Sequence, residues 1–118
     1  MTRSKFSLLA LVALLLLGAS AALSETVPNS QRLEDGKAIY RYACSRCHDS
    51  GEGDAPVIGD AKAWSQRSAL WAAVLFDHAQ QGYLGMPAGG GDSRFSRYDI
   101  EVASEYILQT TFPERPRD

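Results

Sequence analysis

Cys44-Ser45-Arg46-Cys47-His48 is the stretch on which the reading of this chain turns. Two thiols three positions apart lie on one turn of helix, and C-x-x-C-H is the sequence form of covalent c-type haem attachment. Each thiol can form a thioether to a haem vinyl group, and the adjacent histidine then stands over the iron. A structural zinc site also uses paired cysteines but closes with four ligands. The sequence offers only Cys44, Cys47, His48 and His78, and the neighbours Cys47 and His48 do not easily converge on one tetrahedral ion. A thioredoxin-like C-x-x-C belongs in a βαβ surround, whereas the flanking sequence reads as helix and loop. A plain disulfide would leave His48 without a role and close a loop of only two intervening residues.

Working outward toward the N-terminus, Arg3 and Lys5 precede an uncharged run from Phe6 to Leu23. A short basic region, an apolar core at Leu8 to Leu17 and small residues at Ala19-Ser20-Ala21 or Ala22-Leu23-Ser24 make the pattern of a secretory signal. Residues 1–24 are therefore expected to be a signal peptide and residues 25–118 the folded domain, with the mature start between Ala22 and Glu25. An uncleaved anchor is the alternative, because about 18 apolar residues is the lower edge of a membrane-spanning length; it would tie the domain to a membrane. No cysteine ends the apolar run, which excludes a lipoprotein. Export agrees with the haem motif, since attachment to such motifs takes place outside the cytoplasm in bacteria, and it predicts a periplasmic protein.

Removing Arg3 and Lys5 from the twelve basic residues leaves ten against fourteen acidic ones, a charge of −4. That balance argues against a nucleic-acid partner. The 118 residues fit a single small domain. A domain of this size buries a limited core and usually needs a staple, which covalent haem would supply.

The remaining pattern is helical. Val27 to Ser30 reads as a linker ending in helix-cap candidates, and a helix is expected to about Ala43, with Leu33, Gly36, Tyr40 and Ala43 on one face. Gly36 lies on that face, where a glycine signals close approach of another helix. Asp49 to Pro56 reads as an acidic loop without the spacing of a calcium loop. The Pro56 carbonyl is a candidate acceptor for the second ring nitrogen of His48, because a metal-bound histidine usually donates that N–H to a fixed oxygen. Gly59-Asp60 opens a short helix through Trp64, and Ser68 caps another to about Gln80 whose Leu70, Trp71, Val74, Leu75 and His78 share a core face. Trp64 and Arg67 are weak candidates for a haem propionate. Gly82 to Gly91 carries no charge and lacks the ending of a phosphate loop. Within it, Met86 is the only methionine besides the initiator and precedes a proline rather than holding a helical core position, a placement that thioether ligation of haem iron explains. Its rival as sixth ligand is His78. Ser96 and Asp99 make a capping-box start to a last helix with Ile100, Ala103, Tyr106, Ile107 and Thr110 inside, ended by Phe112-Pro113. No internal repeat appears.

Taken together, the Gly36-x-x-x-Tyr40 helix, Cys44 to His48, the stretch Ala55-Pro56-Val57-Ile58-Gly59-Asp60-x-x-x-Trp64, Gly85-Met86-Pro87 and Glu105-Tyr106-Ile107 resemble the class I cytochromes c, and among them the small bacterial cytochrome c5 type. The resemblance spans most of residues 25–118. It implies an all-α domain wrapped around one covalently bound haem c, held by Cys44 and Cys47, with His48 as proximal and Met86 as distal iron ligand. It implies that Gly36 and Tyr40 meet the Tyr106 face where the terminal helices cross. Some members have a cysteine pair after the methionine loop, where this chain has Gly91, Asp92 and Ser93. The expected function is a one-electron carrier, not an enzyme, that docks transiently with redox proteins as a monomer. A cytochrome subunit of a periplasmic dehydrogenase or oxidase is the alternative, and a haem enzyme or gas sensor a further one. Around the haem edge the methionine loop implies an apolar docking patch at Tyr83, Leu84, Pro87 and Ala88.

Overall fold

The computed structural model describes residues 29–67 and 72–114. Helix α1 (Asn29–Ile39) continues through a wider turn at Tyr40–Cys44 into the short helix α2 (Ser45–His48). Right-handed helical backbone is kept at Ile39, Cys44 and Ser45, but the Ser45 N–H reaches Tyr40 O, five residues back. Such π-turns insert one residue into helical register and cluster at functional sites. The expected helix end at Ala43 is thus a change of hydrogen-bond pattern, and the helix carries the C-x-x-C-H stretch to its end. Asn29 and Ser30, expected as linker and cap, already lie inside α1.

Helices α3 (Ala61–Arg67), α4 (Ala72–Gln81) and α5 (Arg97–Thr111) follow, with single 3-10 turns at Glu52–Asp54 and Ala88–Gly91. Among the described residues there is no strand, only an isolated bridge between Tyr83 and Met86. α3 begins where the Asp60 carboxylate accepts the Ala63 N–H at 3.0 Å. α5 begins with the expected capping box: Ser96 accepts from the Asp99 N–H, and the Asp99 carboxylate accepts from the Ser96 N–H at 2.8 Å. The expected signal segment, residues 1–24, and the Ser68, Leu70 and Trp71 positions lie outside the described residues. Of the remaining α4 face, Val74, Leu75 and His78 are half-buried.

The crossing of α1 and α5 organises the domain. A Cβ on Gly36 would stand 2.0 Å from Val102 O and 3.1 Å from Tyr106 Cβ, so only glycine lets the two backbones meet. Beside it Tyr40 packs against Tyr106 at 5.4 Å between ring centroids. The flanks of the crossing are polar and paired: Arg32 grips the Glu105 carboxylate through two nitrogens, and the Tyr98 hydroxyl donates to Asp35 at 2.8 Å. Tyr40, Trp64 and Ile107 form the centre of the core, with Cys44, Ile58, Leu75, Tyr106 and Phe112 against it.

α5 is buried over a wider arc than one stripe. Ile100, Ala103 and Ile107 face inward as expected, but so do Val102, Ser104, Leu108 and Thr111, while Thr110 is exposed. The reason is that α1, the π-turn and α4 all pack on it. Thr111 is used as well as buried, accepting the Gly59 N–H at 3.0 Å.

Candidate functional site

The end of the α1–α2 helix presents Cys44, Cys47 and His48 together. Both thiols are unpaired and half-buried. Cys44 packs on the Tyr40, Trp64 and Ile107 cluster; burial, with a smaller contribution from Cys47, pushes its thiol up to about 11, so it is protonated at neutral pH.

His48 is the most constrained of the three, 7% exposed. Its Nδ1 lies 2.8 Å from Pro56 O. A carbonyl can only accept, so Nδ1 carries the proton and Nε2 keeps its lone pair for a metal. The next two residues complete a strap around the histidine. Val57 O accepts the Trp64 indole N–H at 2.8 Å, which holds that ring stacked on the imidazole at 5.5 Å and 26°. The Ile58 N–H donates to His48 O at 2.8 Å. Three consecutive residues thereby fix the ring, its stacking partner and its backbone. Just beyond, the Tyr40 hydroxyl donates to Asp49; burial first, and then this bond, hold the phenol well above its ordinary pKa, so it stays a donor.

Trp64 and Arg67 both make bonds within the protein. The indole N–H is spent on Val57 O, and Arg67 holds Asp54 through its backbone oxygen and its carboxylate, each at 2.7 Å. The part Trp64 does play, as a plate against His48, left no local mark in the sequence, because stacking depends on how the strap folds back. An aromatic residue following the Pro56 stretch was the only available signal.

Met86 lies on a separate segment, in a tight turn after α4. Tyr83 and Met86 exchange backbone hydrogen bonds of 3.0 and 2.9 Å. Leu84, at the tip, adopts φ +50°, a region that bulky residues rarely enter. Gly82 closes α4 at φ +88°, and a Cβ there would meet Ala88 N at 3.0 Å and Met86 O at 3.1 Å. The methionine itself is half-buried. A Cβ on Gly85 would be 3.7 Å from Gly53 O, so this turn comes up against the loop that follows His48. His78 stacks face to face on Tyr83, with centroids 3.7 Å apart and planes 4° from parallel.

These residues suit haem better than a bare ion. Two free thiols on one turn and a buried imidazole with Nδ1 already engaged are the donors covalent haem requires, and among the described residues no three His, Cys, Asp or Glu side chains converge as a metal site. Residues 31–107 match the family model described as cytochrome C oxidase, cbb3-type, subunit III. Cytochrome c-555 of Chlorobaculum tepidum is 35% identical over 77 residues, covering 62% of this chain and 71% of that protein. Its counterpart in Chlorobaculum thiosulfatiphilum is 34% identical over 77 residues, 62% of this chain and 90% of that protein. The chain belongs to the cytochrome c family. It is a monohaem c-type electron carrier, with haem c as its covalent cofactor. The cytochrome fold is seen again in a chain of the crystal structure of an electron transfer complex of nitrite reductase with cytochrome c. That chain has a TM-score of 0.60 and 32% identity over 65% of this chain and 94% of its own.

Proposed function

We propose that Cys44 and Cys47 form the thioether bonds, that His48 and Met86 are the axial iron ligands, and that the protein passes single electrons between redox partners in the bacterial periplasm. The observation that carries this reading is the buried His48 ring with Nδ1 on Pro56 O, which leaves Nε2 for iron and raises the basicity of the ligand. When bound, haem c supplies a one-electron ferric–ferrous couple. Methionine opposite histidine favours the ferrous form and raises the potential. With His48 and Met86 both holding the iron, no position would be left for substrate or oxygen, as suits a carrier rather than an enzyme or gas sensor. Oxidised and reduced absorption spectra combined with a redox titration test the set together. A far-red ferric iron–sulfur band and a raised potential are expected; a high-spin ferric spectrum would reject Met86.

Export rests on Arg3, Lys5 and the apolar run to Leu23, with the folded domain in residues 25–118. N-terminal sequencing of the exported protein is expected to start between Ala22 and Glu25; intact Met1 in the membrane fraction would instead establish an anchor. The description of the matching family model favours a second reading, a cytochrome subunit of a larger oxidase. Co-purification of a second chain at fixed stoichiometry would establish it. The free carrier is favoured by the cytochromes c-555, of which this chain covers 71% to 90%.

A further inference from the structure

Tyr42 lies in the π-turn, two residues before Cys44, and is 68% exposed. A tyrosine so exposed needs no partner, yet this one is held from two sides. Arg94 Nη2 donates to its hydroxyl at 2.8 Å, with the guanidinium carbon 6.0 Å from the ring centroid. Phe95 meets the ring edge-on at 6.0 Å and 90°. Arg94 is in turn fixed by Asp92, which accepts from Nε at 2.9 Å, from Nη2 at 2.6 Å and from the Arg94 backbone N–H at 3.0 Å. A bidentate carboxylate sets the plane of a guanidinium, so Asp92 aims Arg94 at Tyr42.

The segment between Met86 and this cluster rests against α4 but has few side chains of its own. Gly89, Gly90 and Gly91 all have positive φ, have no side chains, and lose more conformational freedom on ordering than any other residue. Short backbone bonds run back along it, Asp92 N–H to Gly89 O at 3.4 Å and Gly90 N–H to Pro87 O at 3.1 Å. The first side chains past the glycines that reach another element are those of Arg94 and Phe95, both on Tyr42, with Asp92 orienting Arg94. We infer that Asp92, Arg94 and Phe95 clasp Tyr42 as positioning residues, pinning the segment after Met86 to the haem-attachment helix and so resisting displacement of the Met86 side chain. This rests on the assignment of Met86 as ligand.

The test uses the ferric holoprotein titrated with imidazole, following the loss of the far-red band, together with hydrogen exchange of the amides between Ala88 and Phe95. Arg94→Gln removes the fork, and Tyr42→Phe removes the hydroxyl while keeping the ring. Arg32→Gln, at the α1–α5 crossing, is the control for general destabilisation. Surface contacts of this kind support a change of about five-fold in apparent imidazole affinity for Arg94→Gln, less for Tyr42→Phe, with faster exchange in that segment. Wild-type imidazole affinity and exchange in both variants would overturn the clasp, as would an equal effect of Arg32→Gln. If Met86→Ala leaves the far-red band in place, the ligand assignment fails, and the exchange measurement alone then decides whether the clasp orders the segment.

Discussion

His48 depends on a residue eight positions later. Pro56 brings a carbonyl and no N–H, so the only hydrogen-bonding role its backbone can take is that of acceptor, and it fixes the imidazole tautomer with Nε2 unprotonated. That contact was legible in sequence because metal-bound histidines need such a partner and the proline follows at loop distance. The Trp64 plate was not legible, because it depends on the strap reaching around the ring. Trp64→Phe leaves Val57 O without its donor while sparing the His48–Pro56 bond. It is expected to lower stability by about 1–3 kcal/mol in urea unfolding with the ligand spectrum retained; a lost far-red band would mean that the indole holds the histidine by itself. Met86 and His78 are told apart by substitution. His78 is engaged as the flat partner of Tyr83, so Met86→Ala should abolish the far-red band and lower the potential, and His78→Ala should do neither. The reverse result would exchange their roles.

Helices were recognised best where one physical cause dominates. The stripe of Leu33, Gly36, Tyr40 and Ala43, which runs from α1 into the π-turn, needs only period and size, and the Ser96 capping box is local chemistry; all four stripe residues are at least half-buried and the box is present. Gly36 gives the sharpest test at this scale. By intrinsic propensity, alanine in a helix is better than glycine by about 1 kcal/mol. Here its methyl would overlap Val102 O, a backbone atom on the facing helix, so the helices must separate. Gly36→Ala is expected to be net destabilising by about 2–4 kcal/mol, read as a lowered denaturant midpoint; a stabilised variant would show that the crossing relaxes at no cost. What the pattern missed was decided by tertiary contacts. Thr110 and Thr111 are chemically identical, and which is buried depends on how many neighbours surround α5. The π-turn at Tyr40–Cys44 carries no proline or glycine to announce it. The positive φ of Leu84 contradicts residue preference, and such strain persists only where surrounding structure enforces it, here by the paired Tyr83 and Met86 backbones.

Across the whole domain, the arrangement of charge decides how a partner can dock. The acidic loop after His48 is the obvious charged candidate, yet its members are engaged at home: Asp49 by the Tyr40 hydroxyl, Asp54 by Arg67 and Glu52 by Arg46 at 3.6 Å. The turn carrying Met86 is the opposite case. Gly82 to Gly91 has no charge, and Tyr83 and Leu84 are 42% and 78% exposed beside exposed Pro87 and Ala88. Leu84 stands at the tip of a turn whose backbone is fixed on both sides, so little ordering is needed when it is covered. A patch this small suits brief electron-transfer contacts, whose interfaces lie at the low end of the size range. Charge-steered association falls steeply as ionic strength rises, whereas an apolar patch gives a shallow dependence. Stopped-flow electron transfer to the natural partner should therefore change little with added salt. Leu84→Glu places a charge in the patch at a residue already held in a non-glycine left-handed conformation, so the fold is spared and docking is not. It should slow the reaction more than Glu52→Gln and Asp54→Asn combined. A steep loss of rate with salt, together with a larger effect of the paired acidic substitutions, would move the docking face from the methionine turn to the acidic loop.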